Sequence, residues 1–391
     1  MTQLYFHIGD TKTGSSSIQY ALFHRLWKCE STTLAYPPSL LDSSFARTLY
    51  TPKRRKDRDD FFQAKADWLA GVSDDIAVFS AEQFSRVEPD RLDKFVRRFM
   101  PEFAASAKYL AYVRPHAGRI VSRYAQRTKS GKISESLEQF TSALMGDESL
   151  DYIPRFQGWK DTFADRLIIR PMIREELYEG DVVKDFFNEV LEGREFTLDA
   201  MPQVNESSEI YELGLLNYVQ DAMRKHGVSP KMRVALGGSM ATGLAQARGA
   251  RDMGGRLRLS RNLAEQVMER YMADARRMDD LFFDGRSLMV PALQAVPGAA
   301  VADPQIFELR QLFDDDKRRD LDEKIVLLAN DVETQGLMWK SVFMSERGLA
   351  RRSVTGRPDP NEVVVQAQAT EVARRIDDVI KAGIELFHPS A

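Results

Sequence analysis

The fold is indicated by one stretch near the N-terminus, LYFHIGDTKTGSSSIQ, which spans residues 4–19. Its first part, Leu4–Ile8, is a short apolar run that stops at a glycine, which is typical of a buried strand. A helix follows, because Ile18 and Leu22 begin a set of apolar residues at helical spacing. The loop between strand and helix is rich in glycine and hydroxyl side chains and carries one lysine, Lys12.

Strand and helix patterns alternate beyond this stretch as far as about residue 210. The further predicted strands are Thr33–Tyr36, Ile76–Ser80, Tyr109–Val113 and Leu167–Ile169. The predicted helices between and after them are Leu92–Phe99, Ile120–Gln126 and Val182–Leu191. Strands that alternate with helices form crossover units, so we predict an α/β fold with a central parallel sheet flanked by helices.

The rest of the chain has mainly helical patterning. Helices are predicted at Glu308–Asn330 and Val363–Phe387, after an Ala-, Pro- and Gly-rich stretch, Pro291–Pro304, that is typical of a linker. We therefore predict one domain over residues 1–292, with its sheet core before about residue 210. A helical extension follows over residues 293–391. Its helices offer one route to a homo-oligomer.

Composition limits the class of protein. The chain has 391 residues, 43% of them apolar, and a net charge of -3, which does not suit a protein that coats nucleic acid. Cys29 is the one cysteine, so neither an intrachain disulfide nor a Cys-based zinc site is expected. The N-terminal residues lack the features of a secretory signal, and no apolar run has the length of a membrane span. We therefore expect a cytoplasmic protein with no integral membrane segment.

The loop at residues 9–17 has the parts of a phosphate site. In an open α/β sheet, backbone N–H groups and a helix N-terminus point at an anion that binds after the first strand. The order of the glycines and the lysine excludes two common phosphate-binding motifs. In a Walker loop the lysine follows the second glycine, whereas Lys12 stands two residues before Gly14. The dinucleotide pattern G-x-G-x-x-G is absent as well.

The loop resembles the 5′-phosphosulfate loop of the sulfotransferase family, especially its bacterial and carbohydrate-modifying branches. Those commonly read H-I-G-x-x-K-T-G-T-T-x-x-Q, and here His7 to Gln19 read HIGDTKTGSSSIQ. Serines replace the usual threonines and keep the hydroxyl groups. The resemblance implies that the donor, 3′-phosphoadenosine 5′-phosphosulfate, is bound by Lys12, Thr13, Gly14, Ser15, Ser16 and Ser17.

A second resemblance follows the strand Tyr109–Val113. The family's 3′-phosphate motif reads approximately R-D-P-x-x-R-x-x-S-x-Y, and residues 114–124 read RPHAGRIVSRY. The resemblance implies that Arg114 and Ser122 bind the 3′-phosphate of the donor. Pro115 and His116 depart from the usual Asp-Pro, so the geometry of this turn is open.

Sulfuryl transfer needs a group that takes the proton from the acceptor hydroxyl, and Glu82 is our candidate. Glu82 comes just after the strand Ile76–Ser80, where relatives often carry S-S-E. The alternatives are a helix-start carboxylate at Glu82 and His7 as the base, although His7 fits better as a brace for the loop. Lys12 is expected to stabilise charge on the leaving nucleotide, and no metal is expected.

The acceptor class is open. The resemblance to carbohydrate-modifying branches implies a carbohydrate or glycan acceptor, while a lipid, a phenol and a small metabolite are alternatives. A non-catalytic nucleotide-binding or scaffold protein that retains the fold is a further alternative. A kinase is disfavoured by the position of Lys12.

Overall fold

We describe a computed structural model of the chain. It describes residues 2–38, 43–133, 135–201, 208–334 and 362–388. Two compact units are present, each built from three separate segments of the chain. The first unit comprises Met1–Arg119, Asp147–Pro202 and Glu265–Val296, and the second comprises Ile120–Gly146, Gln203–Ala264 and Pro297–Ala391. The predicted division into a domain over residues 1–292 and a helical extension over residues 293–391 stays a prediction.

The first unit contains a five-stranded parallel sheet. The described part of the unit has seven strands in chain order, of which β2 and β7 lie outside this sheet: β1 (Gln3–His7), β2 (Trp27–Lys28), β3 (Leu34–Ala35), β4 (Ile76–Ser80), β5 (Lys108–Val113), β6 (Leu167–Pro171) and β7 (Thr197–Leu198). The order in the sheet is β3-β4-β1-β5-β6, and every neighbouring pair is parallel. β2 and β7 form a separate antiparallel pair. The predicted α/β class with a parallel central sheet is confirmed.

The helices have the following bounds in chain order. They are α1 (Ser15–Phe23), α2 (Ser43–Tyr50), α3 (Arg58–Ala70), α4 (Pro89–Phe99), α5 (His116–Lys129), α6 (Leu137–Met145), α7 (Ile153–Phe163), α8 (Val182–Val190), α9 (Ile210–Lys225), α10 (Pro230–Arg248), α11 (Arg261–Phe282), α12 (Met289–Gln294), α13 (Val296–Ala299), α14 (Leu309–Leu312), α15 (Asp315–Thr334) and α16 (Glu362–Phe387). Short 3₁₀ turns lie at Pro52–Asp57, Glu82–Arg86, Pro101–Phe103, Ala164–Arg166, Arg174–Glu176 and Tyr178–Gly180.

Helices cover both faces of the sheet. On one face, Tyr5, Val78 and Leu110 pack in a core with apolar residues of α1 and α8. On the other, Phe6 stacks on Tyr109, which in turn lies 3.7 Å (ring centroids) from Phe163 of α7. Because both faces are buried, the central strands are continuous apolar runs rather than alternating ones, and this is why they stood out in the sequence.

The strand order creates a switch point beside β1. The chain leaves β1 toward the β3 edge, whereas it leaves β5, the neighbour of β1, toward the β6 edge. In open parallel sheets ligands bind outside the carboxyl ends of the strands at such a point. The loop with Lys12 follows β1, and Arg114 follows β5 directly. The fold therefore brings both predicted donor-binding segments to one crevice.

The second unit has a helical core of its own. Leu216 and Val219 of α9, Leu236 of α10, Leu328 of α15 and Ile376 of α16 are all buried in one cluster. Close helix contacts depend on glycine: a Cβ atom added at Gly237 would lie 1.6 Å from the carbonyl oxygen of Lys129. Few strands were predicted after residue 210, and within the described residues there the regular elements are helices.

Two predicted segments need correction. The predicted linker Pro291–Pro304 is partly helical, since α12 and α13 occupy residues 289–294 and 296–299. The predicted helix Glu308–Asn330 is two helices, because Asp314 accepts a hydrogen bond from the amide of Lys317 (3.0 Å) and so starts α15 afresh. In the ranges that the structure describes, no helix is both long and apolar enough to cross a membrane.

Candidate functional site

The loop after β1 has an unusual backbone. Gly9, Lys12 and Gly14 have φ angles of 55°, 71° and 80°, all in the left-handed region. Glycine adopts this region freely, but for a lysine it costs about 1–2 kcal/mol. Strain of this kind persists where the surrounding structure fixes the chain, and it clusters at functional sites. The half-buried Lys12 is therefore held in one specific place in the loop.

The loop ends in a helix start that lacks a side-chain cap. Gly14 is the N-cap of α1, and its carbonyl accepts hydrogen bonds from the amides of Ser17 (2.9 Å) and Ile18 (3.1 Å). The amides of Ser15 and Ser16, in the first turn, receive no such cap from a side chain. Uncapped N–H groups and the positive end of the helix dipole favour an anion at this point.

Two of the predicted hydroxyl ligands brace the loop instead of facing outward. Thr13 is buried and donates its hydroxyl to the carbonyl of Asp10 (2.8 Å), while the Asp10 amide donates back to it (3.3 Å). The buried Ser15 hydroxyl is 3.4 Å from the same carbonyl. Any contact of these two residues with a donor would therefore come from their backbone amides. Ser16 and Ser17 are half-buried.

Asp10 ties the loop to two arginines. Its carboxylate is 1% exposed and accepts two hydrogen bonds from Arg155 (3.2 and 3.1 Å) and one from Arg119 (3.1 Å). Burial by itself would raise the pKa of Asp10, but Arg155, Arg119 and the amide of Thr11 lower it below its ordinary value. Asp10 is thus an ionised anchor within the loop. Arg119, which fell in register with the family motif, is engaged here.

Arg114 differs from those arginines because its guanidinium is available. It is half-buried, and burial lowers its pKa. Within the described part of the chain, the guanidinium group makes no hydrogen bond and no ion pair. A Cβ atom added at Gly118 would lie 3.4 Å from Cδ of Arg114, so this side chain runs along the first turn of α5. A partly desolvated arginine without a partner is well suited to bind phosphate.

A buried network fixes the turn that carries Arg114. The carbonyl of Arg114 accepts a hydrogen bond from the hydroxyl of Tyr152 (2.6 Å), and burial raises the pKa of Tyr152 to about 12, so that it stays protonated. The Tyr152 ring also lies 4.9 Å from the Arg119 guanidinium and 5.4 Å from that of Arg155. Tyr152 therefore links the Arg114 turn to the arginines that hold Asp10.

His116 also holds the turn that carries Arg114, through contacts with residues of α11. It is fully buried, its Nε2 lies 2.9 Å from a carboxylate oxygen of Asp274, and its ring stacks on Tyr271. Asp274 also accepts the amides of Tyr152 (2.9 Å) and Ile153 (3.0 Å) at the start of α7. The open question about the Pro115-His116 departure is answered in part: the histidine is an internal anchor and not a solvated side chain.

Glu82 lies at the same edge of the sheet as the loop. The amide of Ala81 donates to the carbonyl of His7, joining the ends of β4 and β1. A Cβ atom added at Gly9 would lie 3.0 Å from Cα of Glu82, so the backbones touch. The Glu82 side chain is half-buried at the start of a 3₁₀ turn. The backbone of Glu82 and the loop that carries Lys12 therefore lie together at the carboxyl ends of β4 and β1.

His7, the alternative base, is a brace. It is fully buried, its Nδ1 shares a hydrogen bond with the hydroxyl of Ser80 (2.7 Å), and burial lowers its pKa to about 3. Gln19 of α1 donates to the same hydroxyl (3.1 Å). The neutral imidazole thus joins β1, β4 and α1 beneath the loop, where it has no exposed surface for an acceptor.

Ser122 lies on α5, two turns after Arg114, and is half-buried. The first segment of the first unit ends within this helix, after Arg119, and the role of Ser122 in phosphate binding stays a prediction.

Among the residues that the structure describes, no group of three His, Cys, Asp or Glu side chains is placed to hold a metal ion. No protein-family model, curated protein or solved structure matches this chain.

Proposed function

We propose that this protein is a sulfotransferase that uses 3′-phosphoadenosine 5′-phosphosulfate, built on the P-loop-like fold of that family. The observation that carries the proposal is the pairing of two cations at one switch point. Lys12 follows β1 and Arg114 follows β5, and these strands are neighbours in the sheet. A donor with phosphate groups at both ends of a nucleoside needs two separated cationic sites of this kind.

Each end of the donor has a fitting partner. The phosphosulfate would accept hydrogen bonds from the uncapped amides at the start of α1 and from Lys12, within residues 12–17. The 3′-phosphate would bind Arg114, with Ser122 as the second predicted ligand. The buried network around Asp10 and Tyr152 supports this assignment, because it fixes both loops before any ligand arrives.

Transfer follows from the same geometry. The acceptor hydroxyl attacks sulfur, the bond from sulfur to the bridging oxygen breaks, and the nucleotide leaves with that electron pair. Lys12 would stabilise the charge on the leaving phosphate, and Glu82 would take the acceptor proton. Glu82 is the better candidate than His7, since it is half-buried and its backbone contacts Gly9, whereas His7 has no exposed surface.

The acceptor can be proposed only as a chemical class. We propose a hydroxyl or amine of a carbohydrate, on the resemblance of the His7–Gln19 stretch to carbohydrate-modifying branches. A lipid, a phenol or a small metabolite is the alternative acceptor. A non-catalytic nucleotide-binding protein with the same fold would keep the donor site and lack turnover.

The test is turnover of ³⁵S-labelled donor against a panel of carbohydrate, lipid and phenol acceptors. Lys12→Ala should lower turnover by about 10²-fold or more, because a charge-stabilising group is lost from the transition state. Lys28→Ala is the matched control, since Lys28 is 70% exposed and, among the described residues, its ion pair is with Asp199 at the surface of the same unit. Equal turnover of the two variants would remove Lys12 from the mechanism.

The same assay separates the rival functions. Binding of donor product without turnover on any acceptor would favour the non-catalytic protein. Magnesium-dependent transfer from ATP would favour a kinase.

A further inference from the structure

The second unit contains an open groove whose cations the proposed function does not use. Its volume is about 580 Å³, and it lies where the end of α5, the end of α9 and the start of α10 meet. Four basic side chains and one acidic side chain line it: Arg127, Lys132, Arg224, Arg233 and Glu135. This surplus of positive charge stands out in a chain whose net charge is -3.

Two of the four cations have a structural task. Arg233 and Arg224 both donate to the carbonyl of Gly131, just after α5, at 2.8 and 3.4 Å. Gly131 has a φ of 62°, and a Cβ atom there would lie 2.3 Å from Oε1 of Gln220. The turn is thus a tight one that only glycine fits, and these two arginines bind its carbonyl.

The other two cations have no such task. Arg127 is half-buried, and in the described residues its Nε has no hydrogen-bond partner and its guanidinium pairs with no carboxylate. The Arg127 guanidinium carbon lies over the ring of Phe140, 5.9 Å from the ring centroid, in a cation–π contact. Lys132 is exposed, and it too has no ion-pair partner among the described residues. The charges of Arg127 and Lys132 are therefore not balanced by a carboxylate among the described residues, although both side chains line the groove.

The arginines in the groove also repel one another. Burial lowers the pKa of Arg233, and the charge of Arg224, which also pairs with Asp221 (3.4 Å), lowers it further. The N-terminal end of the 19-residue helix α10 adds positive potential, since Pro230 is its first residue and lines the groove. An anion in the groove would relieve this repulsion.

The lining also narrows the class of anion. No aromatic ring is among the described residues that line the groove, so neither a nucleobase nor a sugar ring finds a surface for stacking. We propose that this groove is a second anion site, separate from the donor site, that binds a compact polyanion with two or more phosphate or sulfate groups. Arg127 and Lys132 would bind it, and Arg224 and Arg233 would shape the site and add charge.

Isothermal titration calorimetry of the 391-residue chain tests this proposal with two probes, inorganic tripolyphosphate and sucrose octasulfate. The donor loop is a competing anion site, so the titrations use the Lys12→Ala/Arg114→Ala protein. We expect binding to persist there. Adding Lys132→Gln should weaken it about tenfold, and adding Arg127→Gln as well should weaken it about a hundredfold.

Lys381→Gln is the matched control, because Lys381 is an exposed lysine of the same unit outside the groove, and it should leave the affinity unchanged. Arg127 packs on Phe140, so the Arg127 variant could unfold. In that case the comparison of the Lys132 and Lys381 variants decides the proposal, because both lysines are exposed. Loss of all binding in the Lys12→Ala/Arg114→Ala protein, or equal affinity of the Lys132 and Lys381 variants, would overturn the proposal. Neither outcome would bear on sulfuryl transfer, which is measured separately.

Discussion

Asp10→Asn tests whether the donor loop is held by its buried ion pairs. The carboxylate is 1% exposed and Arg119 is 4% exposed, so solvent screens this pair very little. Removing one partner of a buried pair leaves the other charge uncompensated and costs about 3–5 kcal/mol. For a cooperative unit of about 150–250 residues, that corresponds to a fall in melting temperature of roughly 6–20 °C.

The assay is denaturant unfolding followed by tryptophan fluorescence, since Trp159 is buried in the same unit. Asp199→Asn is the matched control. It makes the same chemical change in the Lys28–Asp199 pair, whose side chains are 70% and 50% exposed, and should cost about 0–1 kcal/mol. If Asp10→Asn costs no more than Asp199→Asn, the account of the loop is wrong.

The pH dependence gives a second readout of the same carboxylate. The folded-state pKa of Asp10 is lowered from its ordinary value of 3.8, against the effect of burial, by Arg155, Arg119 and the Thr11 amide. Ionised Asp10 therefore contributes stability above that ordinary value, and this contribution is lost as the pH falls through the folded pKa. The difference in unfolding free energy between wild type and Asp10→Asn should narrow on acidification. A constant difference down to the acid transition would contradict the pairing.

Two further predictions concern the base and the second unit. Glu82→Gln should bind donor product normally yet lose transfer by about 10²–10⁴-fold, because the amide cannot take the proton; near-normal turnover, measured with the labelled donor, would show that Glu82 only starts the turn. Gly237→Ala should destabilise the second unit by about 1–3 kcal/mol, because its Cβ would lie 1.6 Å from the carbonyl of Lys129. At Gly238, the next residue of the same helix, an added Cβ would have no described atom from outside the local helix backbone within 4 Å, so Gly238→Ala should gain about 0.5–1 kcal/mol. Thermal unfolding that ranks the two variants the other way would contradict the packing.

Local signals in the sequence were enough to locate the strands of the parallel sheet. The strand Ile76–Ser80 has the bounds that its apolar run predicted, and Gln3–His7 differs by one residue at each end. A strand buried on both faces leaves a continuous apolar run that can be read directly. The break between α14 and α15 was missed although Asp314, a good N-cap residue, marks it.

The supports of the site were beyond a reading of the sequence. Asp10 meets Arg119 and Arg155 across 109 and 145 residues, and His116 meets Asp274 across 158. Each is a polar or charged residue of a common type whose partner is set by the tertiary fold alone. The one available hint was the mismatch at His116, where the family motif has a proline: a departure from a motif is a position at which to look for a new partner.

The most direct test of the account is calorimetry with two nucleotides, adenosine 3′,5′-bisphosphate and 5′-AMP. If the Arg114 side of the crevice binds the 3′-phosphate, the bisphosphate should bind about ten- to a hundredfold more tightly, the scale of one charge-assisted phosphate contact. Arg114→Ala should remove most of that preference while leaving the affinity for 5′-AMP nearly unchanged. Equal affinity of the wild-type protein for the two nucleotides would contradict the assignment of this crevice as the donor site.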